Sequence, residues 1–412
     1  MAELAPLNAL HYNLAAVSSL ADVTAPPYDV IDEAQRVELL GRSPFNVVEI
    51  DLPRAPEGRD PYEHAAETLD AWTLDGVLTA DREPAIWALT QEYSAPDGGR
   101  RTRHGFLARV RVTDYGAGLV RPHERTQPGP KEDRLRLTRA TRHNLSPIFS
   151  LHPGNVWDRI EPQLDGDPWG EVTDSDGTVH RVWRIADPAV ARAVASGLAD
   201  AELLIADGHH RYETARIYAD EIGGEGAHRY TLMCLVSLDD PGLTIFGTHR
   251  MLEGFDPDRL ERGVRESFDV EEVEDERLDP GGVDGAGVFG LVDRDRCLRL
   301  RLRDRGALDA ALPDRSAAYR GLDAVILEEL VLKATLGMSN EDIEGKRGLG
   351  YAKGIDEARR LVGAGEYDCA FILRPTPVSA VREVAAAGET MPPKSTFFFP
   401  KLLTGIVFNP LS

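Results

Sequence analysis

Leu203-Leu204-Ile205-Ala206-Asp207-Gly208-His209-His210-Arg211-Tyr212-Glu213 is the stretch whose reading decides the fold. A short apolar run stops at an Asp-Gly turn, and a helical pattern then continues through Thr214, Ala215, Ile217 and Tyr218. The spacing predicts a strand, a turn and a helix. The first N–H groups of a helix lack partners and its dipole makes that end electropositive, so such a turn suits an anion. Arg211 adds bidentate donors, and His209 and His210 add imidazoles that bind anions or move protons. Asp207 reads as the N-cap, accepting from the first turn. A plain capped helix would account for Asp207 and Gly208. It gives no reason for His209-His210-Arg211, which favours a functional site.

Outward from this turn the chain reads as mixed α/β. Strand candidates are 47–52, 85–89, 105–110, 203–206 and 230–236, with helical periodicity over 62–73 and 188–198. The character changes after Met251, where an acidic stretch (271–279) leads into a glycine-rich run ending at Gly290. Residues 290–292 and 297–302 then predict a hairpin, and 322–336 an amphipathic helix stopped by Gly337. A strand over 368–373 and a helix over 379–387 follow. The expected division is a putting-together of residues 1–250 as a nucleotide- or phosphate-binding domain and 251–412 as a smaller C-terminal α/β domain. Its tail, with Phe397, Phe398 and Phe399, is expected to strap the core, a lysine reaching a phosphate (Lys394 or Lys401) being the lesser reading.

Bulk properties narrow the class. At 412 residues and 42% hydrophobic, the chain can bury a large core. Its three cysteines, Cys234, Cys297 and Cys369, are far apart with no CxxC pair, so neither a disulfide framework nor a zinc knuckle is indicated. With no secretory pattern at the start and no apolar run approaching the roughly 20 residues that span a membrane, a cytoplasmic protein is expected. A net charge of −22 disfavours a general nucleic-acid binder.

The acidity is uneven. Between Arg100 and His143 twelve Arg or Lys face four acids, a local charge of +8, while the remainder carries −30. Such an island could focus the field on a small anion or simply be a solvated surface. Residues 121–130 form a Pro/Gly-punctuated loop, the kind of segment that displays sites. His123, Arg125, Lys131 and Arg134 are therefore candidate phosphate ligands beside Gly208 and Arg211.

The segment Ala206-Asp207-Gly208-His209-His210-Arg211 resembles the signature of a large bacterial family catalogued as a domain of unknown function. The resemblance extends through Ala25-Pro26-Pro27-Tyr28-Asp29-Val30, Ser43-Pro44-Phe45-Asn46, Pro122-His123-Glu124-Arg125-Thr126 and Lys131-Glu132-Asp133-Arg134-Leu135. It continues in Asn144-Leu145-Ser146-Pro147-Ile148-Phe149, Pro392-Pro393-Lys394-Ser395-Thr396 and Phe399-Pro400-Lys401-Leu402. The five-residue Asp-Gly-His-His-Arg core is also similar to the nucleotide-site motif of ParB/sulfiredoxin-like proteins, among them the free serine kinases. That second resemblance implies a ParB/sulfiredoxin-like nucleotide-site core within a larger mixed-sheet domain, with ATP or ADP as cofactor and L-serine as acceptor.

The chemistry expected is phosphoryl transfer from a nucleotide to the hydroxyl of a small acceptor, which needs clamped phosphates and an oriented hydroxyl. The Gly208-to-Arg211 backbone would receive the phosphates. His209 and His210 could each donate a hydrogen bond. Asp207 is the first choice for base, or for holding Mg2+ through water, and Glu124 beside His123 is the second. Alternatives are a nucleotide-gated ParB-like switch and a phosphoester hydrolase using the same anion site. A metal held by His209, His210 and Glu213 is disfavoured, because adjacent helical residues point about 100 degrees apart. A P-loop, a dinucleotide fingerprint and a nucleophile elbow are all missing their required spacings. Acceptor identity and oligomeric state stay open.

Overall fold

The computed structural model of the chain describes residues 2–55, 57–95, 98–116, 119–124 and 128–412. Contacts divide it into two compact units. One comprises Met1–Pro122, Thr126–Thr244 and Pro400–Ser412; the other comprises His123–Arg125 and Ile245–Phe399. The divide thus falls six residues before the one read from the sequence. The last thirteen residues rejoin the first unit.

The first unit is built on a mixed sheet of nine strands among the described residues. Its strands are β1 (Ile86–Ser94), β2 (Arg100–Arg111), β3 (Val120–Arg121), β4 (Ile148–His152), β5 (Gly170–Thr173), β6 (Val179–Ile185), β7 (Leu203–Asp207) and β8 (Tyr230–Ser237), with Leu4–Ala5 paired beside β2. The order across the sheet is β3-β7-β4-β8-β2-β1-β6-β5. β7 runs parallel to β3 and antiparallel to β4, and β8 runs parallel to β4. The apolar run of β7 is buried on both faces, Leu203 and Ile205 completely and Leu204 and Ala206 at 5% exposure, as a central strand requires. Ile205, Phe106, Ile148, Met233 and Leu235 share one core cluster with Val190 and Val194. The last two come from the helix Pro188–Gly197, whose apolar residues repeat at helical spacing.

Helix formation follows local chemistry. The helix α1 (Pro61–Leu74) starts with Asp60 capping Tyr62 and Glu63 and a proline in its first turn. α2 is Pro128–Thr141, and α3 (Pro188–Gly197) is capped by Asp187. Residues 47–52, expected to be a strand, instead contain a short helix at Val48–Asp51. Asn46 accounts for the difference. Its amide donates to the carbonyls of Asp22 (2.8 Å) and Thr24 (3.2 Å), and its Oδ1 accepts from Val48 N (3.0 Å), which fixes a turn where an extended run was expected. A six-residue apolar pattern fits either period, and the distant anchor decides.

The second unit holds a six-stranded sheet in which every pairing is antiparallel. The expected hairpin is present as Val288–Val292 and Cys297–Leu302. Leu298 and Leu300 of the second strand are buried, while Arg299 and Arg301 lie on the other face. The helix expected over 322–336 begins as Asp323–Leu327 and continues with wider, i to i+5 winding over Glu328–Thr335. Gly337, at φ 76°, follows it. In the tail, Phe398 is buried and Phe399 stacks on Phe246 at 4.6 Å. Among the described residues no helix is long and apolar enough to cross a membrane.

Candidate functional site

The site begins with an irregularity in β7. Ile205 lies opposite Ser150 of β4 and Asp207 opposite Phe149, so Ala206 is an extra residue on the bulged strand. Bulges re-aim the side chains that follow them. Gly208 then takes φ 94°, a left-handed conformation that any side chain would strain, and opens α4 (His209–Ile222). Gly208 is the N-cap, and no side chain caps the helix. The expected capping role of Asp207 is therefore corrected: Asp207 is the final strand residue, one position too early to cap. Its Oδ2 instead lies 3.4 Å from Arg211 Nη2 and 3.4 Å from Lys401 Nζ.

A methyl group on Gly208 would sit 2.9 Å from Arg211 Nε and 3.0 Å from its Cζ. Gly208→Ala should therefore cost about 1–2 kcal/mol through the left-handed backbone alone, and displace the guanidinium as well. Chemical denaturation reads the first effect; an unchanged midpoint would refute it.

Arg211 is held from behind. Its Nη1 donates to the carbonyl of Pro147, while Nε is buried without a partner. It lines a polar cavity of about 40 Å³ together with Tyr28, Asp51, Arg134, Ser146 and Thr214. Thr214 Oγ1 is also buried and unpartnered. The volume suits a few ordered waters, which would satisfy both groups. Arg134, expected as a phosphate ligand, is committed elsewhere. Its Nη1 lies 2.6 Å from the Asp51 carbonyl and 3.2 Å from Asp51 Oδ1, its Nε donates to Asp133 (2.8 Å), and its guanidinium stacks on Tyr28 at 4.1 Å. Burial raises the Asp51 carboxyl above its usual range despite Arg134, and burial pushes the Tyr28 phenol up to about 12. This cluster forms a wall behind Arg211.

Lys401 is brought to Asp207 by the returning tail. Gln91 Nε2 donates to the Lys401 carbonyl (2.9 Å), and Arg103 Nη2 donates to the Pro400 carbonyl (2.6 Å). Arg103 Nε also donates to Gln91 Oε1 (3.0 Å), and its guanidinium lies 4.5 Å from the centre of the Phe149 ring. Burial lowers Arg103 to about 10, and Asp207 is among the charges that oppose this. A buried arginine thus ties the tail to the same strand residue, Phe149, that faces Asp207.

The remaining expected residues are divided. His209 is 7% exposed and His210 half-buried, both in the first turn of α4. Lys131 is half-buried on α2. His123 and Glu124 fall in the second unit, where His123 Nε2 lies 2.8 Å from Thr396 Oγ1 and Glu124 bridges Met391. Arg125 lies outside the described residues. Five residues of the basic island are matched by acids from elsewhere in the chain: Arg100 by Glu92, Arg111 by Glu225, Arg121 by Glu202, Arg136 by Asp60 and Arg139 by Glu221. Among the described residues no group of three or more His, Cys, Asp or Glu side chains is gathered to hold a metal. Glu213, weighed with the two histidines, bonds Arg216 at 3.1 Å. A magnesium ion carried on nucleotide phosphates would find one protein carboxylate here, Asp207, and such ions are commonly held by one or two carboxylates plus phosphates.

Arg103, Asp51 and Tyr28 were not among the site residues expected from the sequence, and Lys401 was only the lesser reading of its tail. Signals existed for Tyr28 and Lys401, which stand in two of the motifs quoted above. Arg103 and Asp51 stand in none of them.

Residues 4–325 match the family described as "Protein of unknown function (DUF1015)". No curated protein matches the chain. Among solved structures, a free serine kinase in complex with AMP is similar at 18% identity, covering 70% of this chain and 88% of that one with a TM-score of 0.36. A conserved hypothetical protein from Pyrococcus furiosus is 17% identical over 68% of this chain and 86% of that one, with a TM-score of 0.34. SbnI from Staphylococcus aureus, truncated at its C-terminus, is 12% identical over 72% and 85%, with a TM-score of 0.37.

Proposed function

The chain belongs to the DUF1015 family, and we propose that it is a phosphotransferase that moves a phosphoryl group from ATP or ADP to the hydroxyl of a small acceptor, free L-serine being the first to test. One observation carries the reading: Asp207 Oδ2 lies between two cations, Arg211 and Lys401, at the start of an uncapped fourteen-residue helix. Arg211 and Lys401 can turn from the carboxylate to an incoming phosphate chain, with the first N–H groups of α4 adding donors. Asp207 then accepts the acceptor's proton as the hydroxyl oxygen attacks the terminal phosphorus. The bond to the bridging oxygen breaks, and the shortened nucleotide leaves with that electron pair. His209 and His210 stand on the same first turn and can hydrogen-bond the transferred group. Lys131, on α2 of the same unit, is a further candidate for the phosphates. We assign the nucleotide to residues 1–250 together with Lys401 of the returning tail, and leave the rest of 251–412 as the C-terminal part.

The deciding assay incubates the full chain with ATP or ADP, Mg2+ and L-serine and follows phosphoserine by mass spectrometry. Nucleotide-dependent phosphoserine is the expected product. Nucleotide turnover that is indifferent to serine and to other hydroxyl acceptors would favour a hydrolase. No nucleotide-dependent product at all would sink the kinase reading.

A further inference from the structure

A second cavity of about 270 Å³ lies in the first unit, lined by His104, Phe106, His152, Trp157, Asp239 and Asp240 among others. Sheet alternation separates it from the site above. On β2, Arg103 binds Gln91 and Pro400 on one face, so His104 and Phe106 project from the other. On β4, Phe149 faces Asp207, whereas His152 is three residues further, about 10 Å along the strand and on the opposite face.

The polar groups of this cavity are chiefly acceptors. His152 is 2% exposed, and its Nδ1 lies 3.1 Å from the carbonyl of Pro153. Nδ1 must therefore carry the proton, leaving Nε2 as a lone-pair acceptor. Burial holds this imidazole below its usual range, which preserves the neutral form. Asp240 is occupied, its Oδ2 3.0 Å from His104 Nδ1 and its Oδ1 accepting from Gly242 N (2.9 Å). Asp239, exposed at the rim, has a carboxylate without a hydrogen-bond partner. None of the lining residues is Arg or Lys, so nothing there would balance an anion. Trp157 supplies an aromatic wall.

We infer that this cavity binds a small organic cation, a primary ammonium on an apolar body, whose N–H groups donate to His152 Nε2 and Asp239 while its body packs on Trp157. Two lone-pair acceptors match the N–H groups, and the indole gives the apolar body a flat surface to pack on. The inference does not depend on the phosphotransferase reading.

Calorimetry on the full chain at fixed ionic strength, with benzylammonium, benzyl alcohol and benzoate as probes, tests it. Benzylammonium should bind at least about tenfold more tightly than the isosteric alcohol, and benzoate should give no heat. Asp239→Asn, at an exposed position that spares the fold, should weaken benzylammonium about fivefold or more; His152→Phe should weaken it further. Should His152→Phe fail to fold, the Asp239→Asn comparison decides alone. Equal affinity for amine and alcohol, indifference to Asp239→Asn, or no heat from any probe overturns the inference.

Discussion

Asp207→Asn should cut phosphoryl transfer about 100-fold or more, the scale of a lost general base, while the melting temperature stays within a few degrees of the parent. The structure sharpens this separation. Because Gly208 is the N-cap, the substitution cannot cost the helix its cap. What it removes is the charge facing Arg211 and Lys401, at 3.4 Å each from a carboxylate that is 24% exposed. Pairs of that kind are worth roughly 0–1 kcal/mol. A phosphoserine assay and a thermal scan on the same preparation give both readings. Near-parental turnover would remove Asp207 as the base.

Arg211→Ala should weaken nucleotide binding by an order of magnitude or more, since a charge-assisted, bidentate contact is worth about 1.5–3 kcal/mol. It should also lower stability by about 1 kcal/mol, because the Pro147 carbonyl loses its donor. The two effects separate in Arg211→Lys. That variant keeps the positive charge but not the planar fork, so affinity should fall between parent and alanine. Equal nucleotide affinity by calorimetry in parent and Arg211→Ala would remove Arg211 from the site.

The strands and helices around this turn were legible because their signals are local. The apolar run at 203–206 followed by Asp207-Gly208 gave strand, turn and helix, and the alternation at 297–302 gave a hairpin strand. Where a distant side chain decides the conformation, the local signal misleads. Residues 47–52 form a helical turn because Asn46 is anchored on Asp22 and Thr24, more than twenty positions earlier. The same holds for charge. Counting residues made 100–143 a basic island, but Glu92, Glu202, Glu221 and Glu225 are brought to it only by folding. Asp207, Gly208, His209, His210 and Arg211 could be read together as a candidate site because they are consecutive. Lys401 was quoted in the tail yet not placed, because nothing within the tail indicates that Gln91 and Arg103 hold its backbone.

That tail bears on the order in which the protein can be made. Pro400–Ser412 belongs to the first unit, where Ala25 bridges Thr404 and Leu10 bridges Phe408. A ribosome must therefore translate the 155 residues Ile245–Phe399 before the first unit receives its last pieces. Until then Arg103 lacks the Pro400 carbonyl and Asp207 lacks Lys401. Nascent chains halted anywhere before Pro400 would carry the Asp207–Arg211 turn without the lysine beside it. The second cation of the proposed site would therefore arrive only after the whole of Ile245–Phe399 has been made.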